Sequence, residues 1–226
     1  MAGFGAEPHR TEAKMDWLLK NAALMGLIIS TARGAQVPPE LVLGIIEAES
    51  GGDPHATRIN ATYPYTMMQA KRPAGCSVDM ERMCQKTAWG LMQVMGATAR
   101  ELGFDGWLSE LVGPETNVRL GIEFLRRKMS QYFERDGIEG VAAAYNGGAP
   151  RRRPDGKFTN QGYVDRVMEA AGRYKATVEE FEGNKAFETS VNRPAAKAER
   201  RKKRGDAAAE TPPSRESEPQ EGAGGE

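Results

Sequence analysis

Cysteine and histidine are scarce in this chain of 226 residues, with two of each. Cys76 and Cys84 are too few for a disulfide scaffold and lack metal-ligand spacing. A single bridge in an oxidising space and a pair of reduced thiols both stay open for them. His9 and His55 make no metal cluster, so neither a metal nor an organic cofactor is expected. A charge imbalance is also missing: 31 basic residues meet 31 acidic ones. No global field therefore points to nucleic acid or to an acidic polymer as a partner. Long apolar runs are absent as well. The first one, Trp17 to Ile29, is broken by Lys20 and Asn21 and is too short to span a bilayer. It also begins too late, after an acidic, proline-containing start, for an ordinary signal peptide. The expectation is a chain made in the cytoplasm, with no membrane span.

What the chain does have is a core-forming middle and a polar end. Hydrophobic residues make up 39%, enough for one sizeable domain if the polar residues are concentrated elsewhere. They are concentrated in the last third. From about Asn192 the chain is Ala, Lys, Arg, Glu, Pro and Gly, with a basic run Arg200 to Arg204. That composition cannot bury enough apolar surface to order itself. The expected organisation is a loose N-terminus over 1–13, one domain over 14–180 and a charged low-complexity tail over 181–226.

The stretch from Pro38 to Pro54 carries the most chemistry. Pro38 and Pro39 open a helix where the missing N–H does no harm, and Gly51, Gly52 and Pro54 end it. On a helical wheel Leu41, Val42, Ile45 and Ile46 form one apolar stripe. Glu49 falls near its middle. Glu47 falls almost opposite, beside Glu40, and reads as a solvated surface acid. A carboxyl on an apolar face is either neutralised by a partner or kept protonated by desolvation, as a general acid requires.

Around that helix the pattern is mostly helical. Lys14 to Arg33 reads as one helix, stopped by Gly34. Arg58 to Met68 reads as a short extended or hairpin segment, and Lys71 to Gln85 as a loop. A helix follows Trp89 to Met95 and ends near Gly103. Pro114 to Phe133 is amphipathic, with Val118, Ile122, Leu125, Met129 and Tyr132 as its stripe. Gly137 ends it, an Ala-rich helix spans Ile138 to Tyr145, and Asn146-Gly147-Gly148 turns. Arg151 to Gly162 is a basic loop, and Tyr163 to Tyr174 a last helix.

Three short stretches now stand in order: Glu49-Ser50 at a helix end, Gly90-Leu91-Met92-Gln93 before a helix, and Ala144-Tyr145-Asn146-Gly147-Gly148 after one. Together they resemble the soluble lytic transglycosylase domain of the lysozyme-like superfamily, over roughly Leu24 to Tyr174. The resemblance implies a mainly α, lysozyme-like domain of the α+β superfamily, to which the extended segment over Arg58 to Met68 adds a small β excursion in an insertion. It implies cleavage of the β-1,4 bond between N-acetylmuramic acid and N-acetylglucosamine in peptidoglycan, with a 1,6-anhydromuramic product. It places Glu49 as the catalytic acid, and Ser50, Gln93, Met95, Tyr145, Asn146 and Tyr163 as substrate-binding residues, with Tyr145 beside the acid. The partners it implies are peptidoglycan glycan strands, with action in the periplasm.

The sequence departs from the family between Asn60 and Gln85, where an insertion (about 59–86) delays the Gly-Leu-Met-Gln motif. The family often has Ser nine positions after its Glu; here that position is Arg58. Phage-borne and prophage members carry such insertions, which suits a virion- or secretion-associated protein. Two other readings stand beside the transglycosylase. One is a goose-type lysozyme-like hydrolase of the same bond; the other is a non-catalytic glycan-binding protein of a virion or secretion apparatus. The chemistry argues for a single acid. Most glycosidases need two carboxylates, and Asp53, Glu101 and Asp105 are the nearest, unconvincing, candidates for a second. A one-acid mechanism needs no metal. A chelator should therefore leave activity intact; a rate abolished by chelation and restored by zinc would refute this.

Overall fold

The computed structural model describes residues 8–184, with side chains from Glu12 onward. The expected tail beyond 184, including the basic run Arg200 to Arg204, lies outside the described residues. Among the described residues no helix is long and apolar enough to cross a membrane.

The N-terminal region differs from the expectation of a loose segment followed by one helix. It forms two helices, α1 (Pro8–Lys20) and α2 (Ala22–Gly34). Asn21 divides them: its Oδ1 accepts from the Leu24 N–H at 3.1 Å and caps α2. Met15 and Leu18 anchor α1 in the core, and Lys14 pairs with Asp53 just past the next helix. That helix, α3 (Pro39–Ser50), starts at its prolines as expected.

Leu41 to Ile46 are buried on every side, so α3 runs through the middle of the fold rather than along its surface. Its closest neighbour is the last helix, α7 (Gln161–Gly183), nine residues longer than the sequence pattern indicated at its C-terminal end. The contact is tight at Gly44, where a Cβ would stand 2.6 Å from the Val167 carbonyl oxygen and 3.0 Å from the Ala171 nitrogen. Glu47 is not the solvated acid of the helical wheel. It accepts from the Tyr174 hydroxyl and, at 2.6 Å, from Arg173, tying α3 to α7. The wheel assigned it to solvent because it could not show that α7 covers that face.

The β structure brackets the insertion instead of lying within it. Strand β1 (Thr57–Ile59) pairs antiparallel with β2 (Thr87–Trp89), in register Thr57 with Trp89, and β2 pairs with β3 (Val94–Met95). The stretch expected to be a loop contains a helix, α4 (Val78–Gln85). Ser77 caps it, accepting from the Met80 N–H at 3.1 Å, and Asp79 and Glu81 sit in its first turn. Cys76 and Cys84 are both free thiols. Beyond β3 come α5 (Gly96–Glu101), a 3-10 turn Leu108–Val112, and α6 (Pro114–Gly147), which breaks its helical backbone at Gly137 as expected.

The insertion is stapled to the domain by a buried ion pair. Arg100 of α5 and Glu81 of α4 meet at 2.7 and 3.0 Å, with side chains 0% and 3% exposed. Burial disfavours the charge on Glu81, but Arg100, Gln85 and Cys76 outweigh it, and its pKa is lowered. The remaining guanidinium N–H groups of Arg100 donate to the Phe104 and Gly106 carbonyls. Replacing Glu81 by Gln strands a buried cation. That substitution should cost about 3 kcal/mol at neutral pH, read as a lower denaturation midpoint. The deficit should narrow in acid, because a carboxyl with a lowered pKa loses its contribution as pH falls through that pKa.

Candidate active site

The end of α3, the β2–β3 turn and the start of α7 meet at a groove of about 560 Å³. Glu49, Gln93, Asn146 and Tyr163 line it, with Arg58, Arg151, Arg153 and Arg166. Among the described residues that line it, Glu49 is the only carboxylate. Glu101 and Asp105 face elsewhere, toward Arg127 and Lys71. Asp53 is used by Lys14 and by the His55 N–H, 2.9 Å away. Among the described residues no three His, Cys, Asp or Glu side chains cluster closely enough to hold a metal ion.

Glu49 lines the groove and is partly buried. Desolvation dominates its environment and raises its pKa; Tyr163, Arg58, Asn146 and Arg166 each pull it back toward the ionised form. Tyr163 is the strongest of these influences on the acid. By strict geometry its buried hydroxyl lacks a hydrogen-bond partner, yet it stands close enough to Glu49 for each to shift the other. Burial pushes the phenols of Tyr163 and Tyr145 up well past the ordinary tyrosine range, so both stay protonated donors.

Tyr145 lies near enough to the acid to feel its charge, but its hydroxyl has another partner. Its hydroxyl donates to the Met92 carbonyl at 2.8 Å, not to the acid. The reason lies in the β2–β3 turn, whose backbone is buried and must find partners outside the sheet. Leu91 and Met92 are fully buried there. Asn117 of α6 accepts from the Met92 N–H at 2.8 Å and donates to the Trp89 carbonyl at 2.7 Å. Tyr145 satisfies the Met92 carbonyl and Ser50 the Leu91 carbonyl, each at 2.8 Å. Gly90 has φ 68°, and a Cβ there would lie 2.6 Å from the Leu111 carbonyl oxygen, so only glycine fits.

Ser50 and Tyr145 are thus positioned behind the groove wall, and Met95 is half-buried in β3 outside it. Gln93 does line it. Its backbone is left-handed (φ 47°), a strained state for a residue with a side chain. Its Nε2 donates to the Ala56 and Gly90 carbonyls at 2.9 and 3.0 Å, which leaves Oε1 as a free-facing acceptor. Asn146 is oriented by Asn160, whose Nδ2 donates to the Asn146 Oδ1 at 3.1 Å and to the Ala143 carbonyl at 3.0 Å. That bond fixes which end of the Asn146 amide is left for Glu49.

Asn117 and Asn160 were missed by sequence reasoning. Asn117 did leave a signal: it lies one turn before Gly121 on the buried face of α6, where an apolar residue belongs. Asn160 left none, since its partners come from α6.

A sequence model of the transglycosylase SLT domain matches residues 26–162, well over half of the chain. No curated protein matches it.

A raised folded-state pKa on Glu49 means that the folded protein keeps a proton the unfolded chain gives up. Stability therefore falls as pH rises from the ordinary glutamate range through the folded pKa. Glu49→Gln, neutral throughout, escapes that loss. Melting temperatures of the two proteins should nearly coincide near pH 4, with the variant the more stable at pH 8. A variant less stable than the parent at pH 8 would contradict the burial argument.

Proposed function

The chain belongs to the transglycosylase SLT domain family, whose activity is lytic cleavage of peptidoglycan glycan strands, and from that premise we propose that Glu49 is its single acid/base catalyst. The proposed reaction breaks the β-1,4 bond between N-acetylmuramic acid and N-acetylglucosamine. The observation that carries it is the presence of one carboxylate, with a raised pKa, in a groove otherwise lined by neutral and cationic groups. A two-carboxylate glycosidase would need a second acid across the scissile bond. With one acid, the nucleophile must come from water or from the substrate.

In the proposed sequence, Glu49 gives its proton to the glycosidic oxygen as the C1–O bond breaks. The cation at C1 is held by the carbonyl of the sugar's own 2-acetamido group. The 6-hydroxyl of the same sugar then attacks C1, and its proton returns to the Glu49 carboxylate. No water is consumed, and the product is the 1,6-anhydro sugar. The attack is intramolecular, so its effective concentration far exceeds that of a bound water. The cationic surroundings serve the second half of this cycle, because Arg58 and Arg166 stabilise the carboxylate once it has given up its proton.

Tyr163 is assigned as the positioning residue for Glu49, with Asn146 on its other side; Gln93 offers the groove an acceptor. Ser50, Tyr145 and Asn117 are assigned to holding the turn that carries Gln93. The insertion between β1 and β2 is in keeping with a phage-borne member acting at the cell wall.

Digestion of purified sacculi followed by mass analysis tests the reaction. Muramyl ends lighter by one water than hydrolysis products are expected, and a product set of hydrated ends would give the reaction to a lysozyme-like hydrolase. Glu49→Gln should lose about a thousandfold or more in rate, the upper range for general acid–base catalysis. Tyr163→Phe removes an influence that favours the ionised acid, so the alkaline limb of its pH–rate profile should move upward with a slower turnover. Tyr145→Phe strands the Met92 carbonyl and should cost about 1–3 kcal/mol of stability while leaving that limb in place.

A further inference from the structure

Four arginines line the groove against one carboxylate: Arg58, Arg151, Arg153 and Arg166. In a chain whose formal net charge is +0, such a concentration is local. Arg58, Arg151 and Arg166 have no ion-pair partner among the described residues. Arg153 has only Asp155, 3.5 Å away with both side chains about half exposed.

Two of the four are presented by a hairpin. The stretch expected to be a plain loop closes on itself through an Arg152–Phe158 bridge, with the Thr159 N–H donating to the Arg151 carbonyl and the Arg153 N–H to the Lys157 carbonyl, both at 2.8 Å. Successive side chains on extended backbone point to opposite faces. Arg152 accordingly turns away from the groove: its guanidinium stacks 4.0 Å over the ring of Phe158, which is 1% exposed and anchors the hairpin. Arg151 and Arg153 take the other face and line the groove. Arg58 of β1 also lines the groove, and Arg166 lies one turn beyond Tyr163 on α7. Arg58 and Arg166 also favour the ionised form of Glu49, but Arg151 and Arg153 have no such part, and a neutral sugar polymer has no use for their charge. A strand carrying a carboxylate on every second sugar matches it.

We propose that Arg58, Arg151, Arg153 and Arg166 form a carboxylate-reading wall, which selects muramyl strands bearing anionic lactyl or peptide groups over neutral β-1,4 N-acetylglucosamine strands. The inference rests on the reading of the groove as a glycan-cleaving site. Guanidinium groups suit the task, because their planar fork meets a carboxylate through two parallel hydrogen bonds.

The test is calorimetric binding in a Glu49→Gln background, where the strand stays intact. Three probes are used: a stem-peptide-bearing muramyl tetrasaccharide, the same tetrasaccharide with its peptides removed to leave lactyl carboxylates, and the neutral N-acetylglucosamine tetramer. Arg151→Gln and Arg153→Gln should each weaken binding of a carboxylate-bearing probe about tenfold, the scale of one charge-assisted contact, and leave the neutral tetramer within about twofold. Lys157→Gln, which removes the same charge from the same hairpin outside the groove, should weaken neither. A loss shared by both muramyl probes places the wall against the lactyl carboxylate, and a loss confined to the stem-bearing probe places it against the peptide; both support the inference. Equal loss for the neutral tetramer, or no loss for any probe, overturns it while leaving the glycan site standing. Failure of all three probes to bind the parent overturns the glycan reading, and this inference with it.

Discussion

Everything in this structure depends on holding one carboxyl group where water is scarce. Glu49 ends a helix buried on all sides, and burial raises its pKa against the combined pull of Tyr163, Arg58, Asn146 and Arg166. The helix is kept there by a close approach to α7 that only a glycine at position 44 permits. The same approach delivers Tyr163 and Arg166 to the groove from the first turns of α7. Packing and electrostatics are therefore set by one contact. A shift of α7 would change the desolvation of the acid and move its neighbours together.

The β2–β3 turn is the second support, and it works through backbone groups. Four main-chain polar atoms of the turn and its flanking residue Trp89 find partners in Ser50, Asn117 and Tyr145, drawn from α3 and the two halves of α6. The turn thereby fixes Gln93 in a backbone state that Gln would not choose. Ser50, the residue after the acid, links this turn directly to the end of α3. The groove is lined from α3, the β2–β3 turn and α7, and by the arginine hairpin that Phe158 anchors.

Much of this was legible from the residues, and the failures share a cause. Glu49 stood out because a charge in an apolar stripe is an anomaly that periodicity exposes. The prolines before α3, the break at Gly137 and the motif order were local signals, and they held. Glu47 was misread because a helical wheel shows one helix and not the α7 side chains that cover it. Tyr145 was placed beside the acid, and the acid's charge is felt there, but the hydroxyl goes to the Met92 carbonyl, a partner that comes from a distant stretch of chain. The helix over Val78–Gln85 was taken for loop because Pro73, Gly75 and the cysteines outweighed a Ser77 cap and an acidic first turn. The pairing of β1 with a strand some thirty residues on could not be read locally, nor could the Glu81–Arg100 staple that makes the insertion part of the domain.

The central claim is that burial raises the pKa of Glu49, so that the acid keeps its proton above the ordinary glutamate range. A carbon-13 NMR titration of the side-chain carboxyl, assigned by its disappearance in Glu49→Gln, measures this directly. The account predicts an inflection clearly above the ordinary glutamate value of 4.5, moving higher when Tyr163 is replaced by Phe. An inflection at or below 4.5 would contradict it, because the acid would then enter each cycle without the proton it has to give.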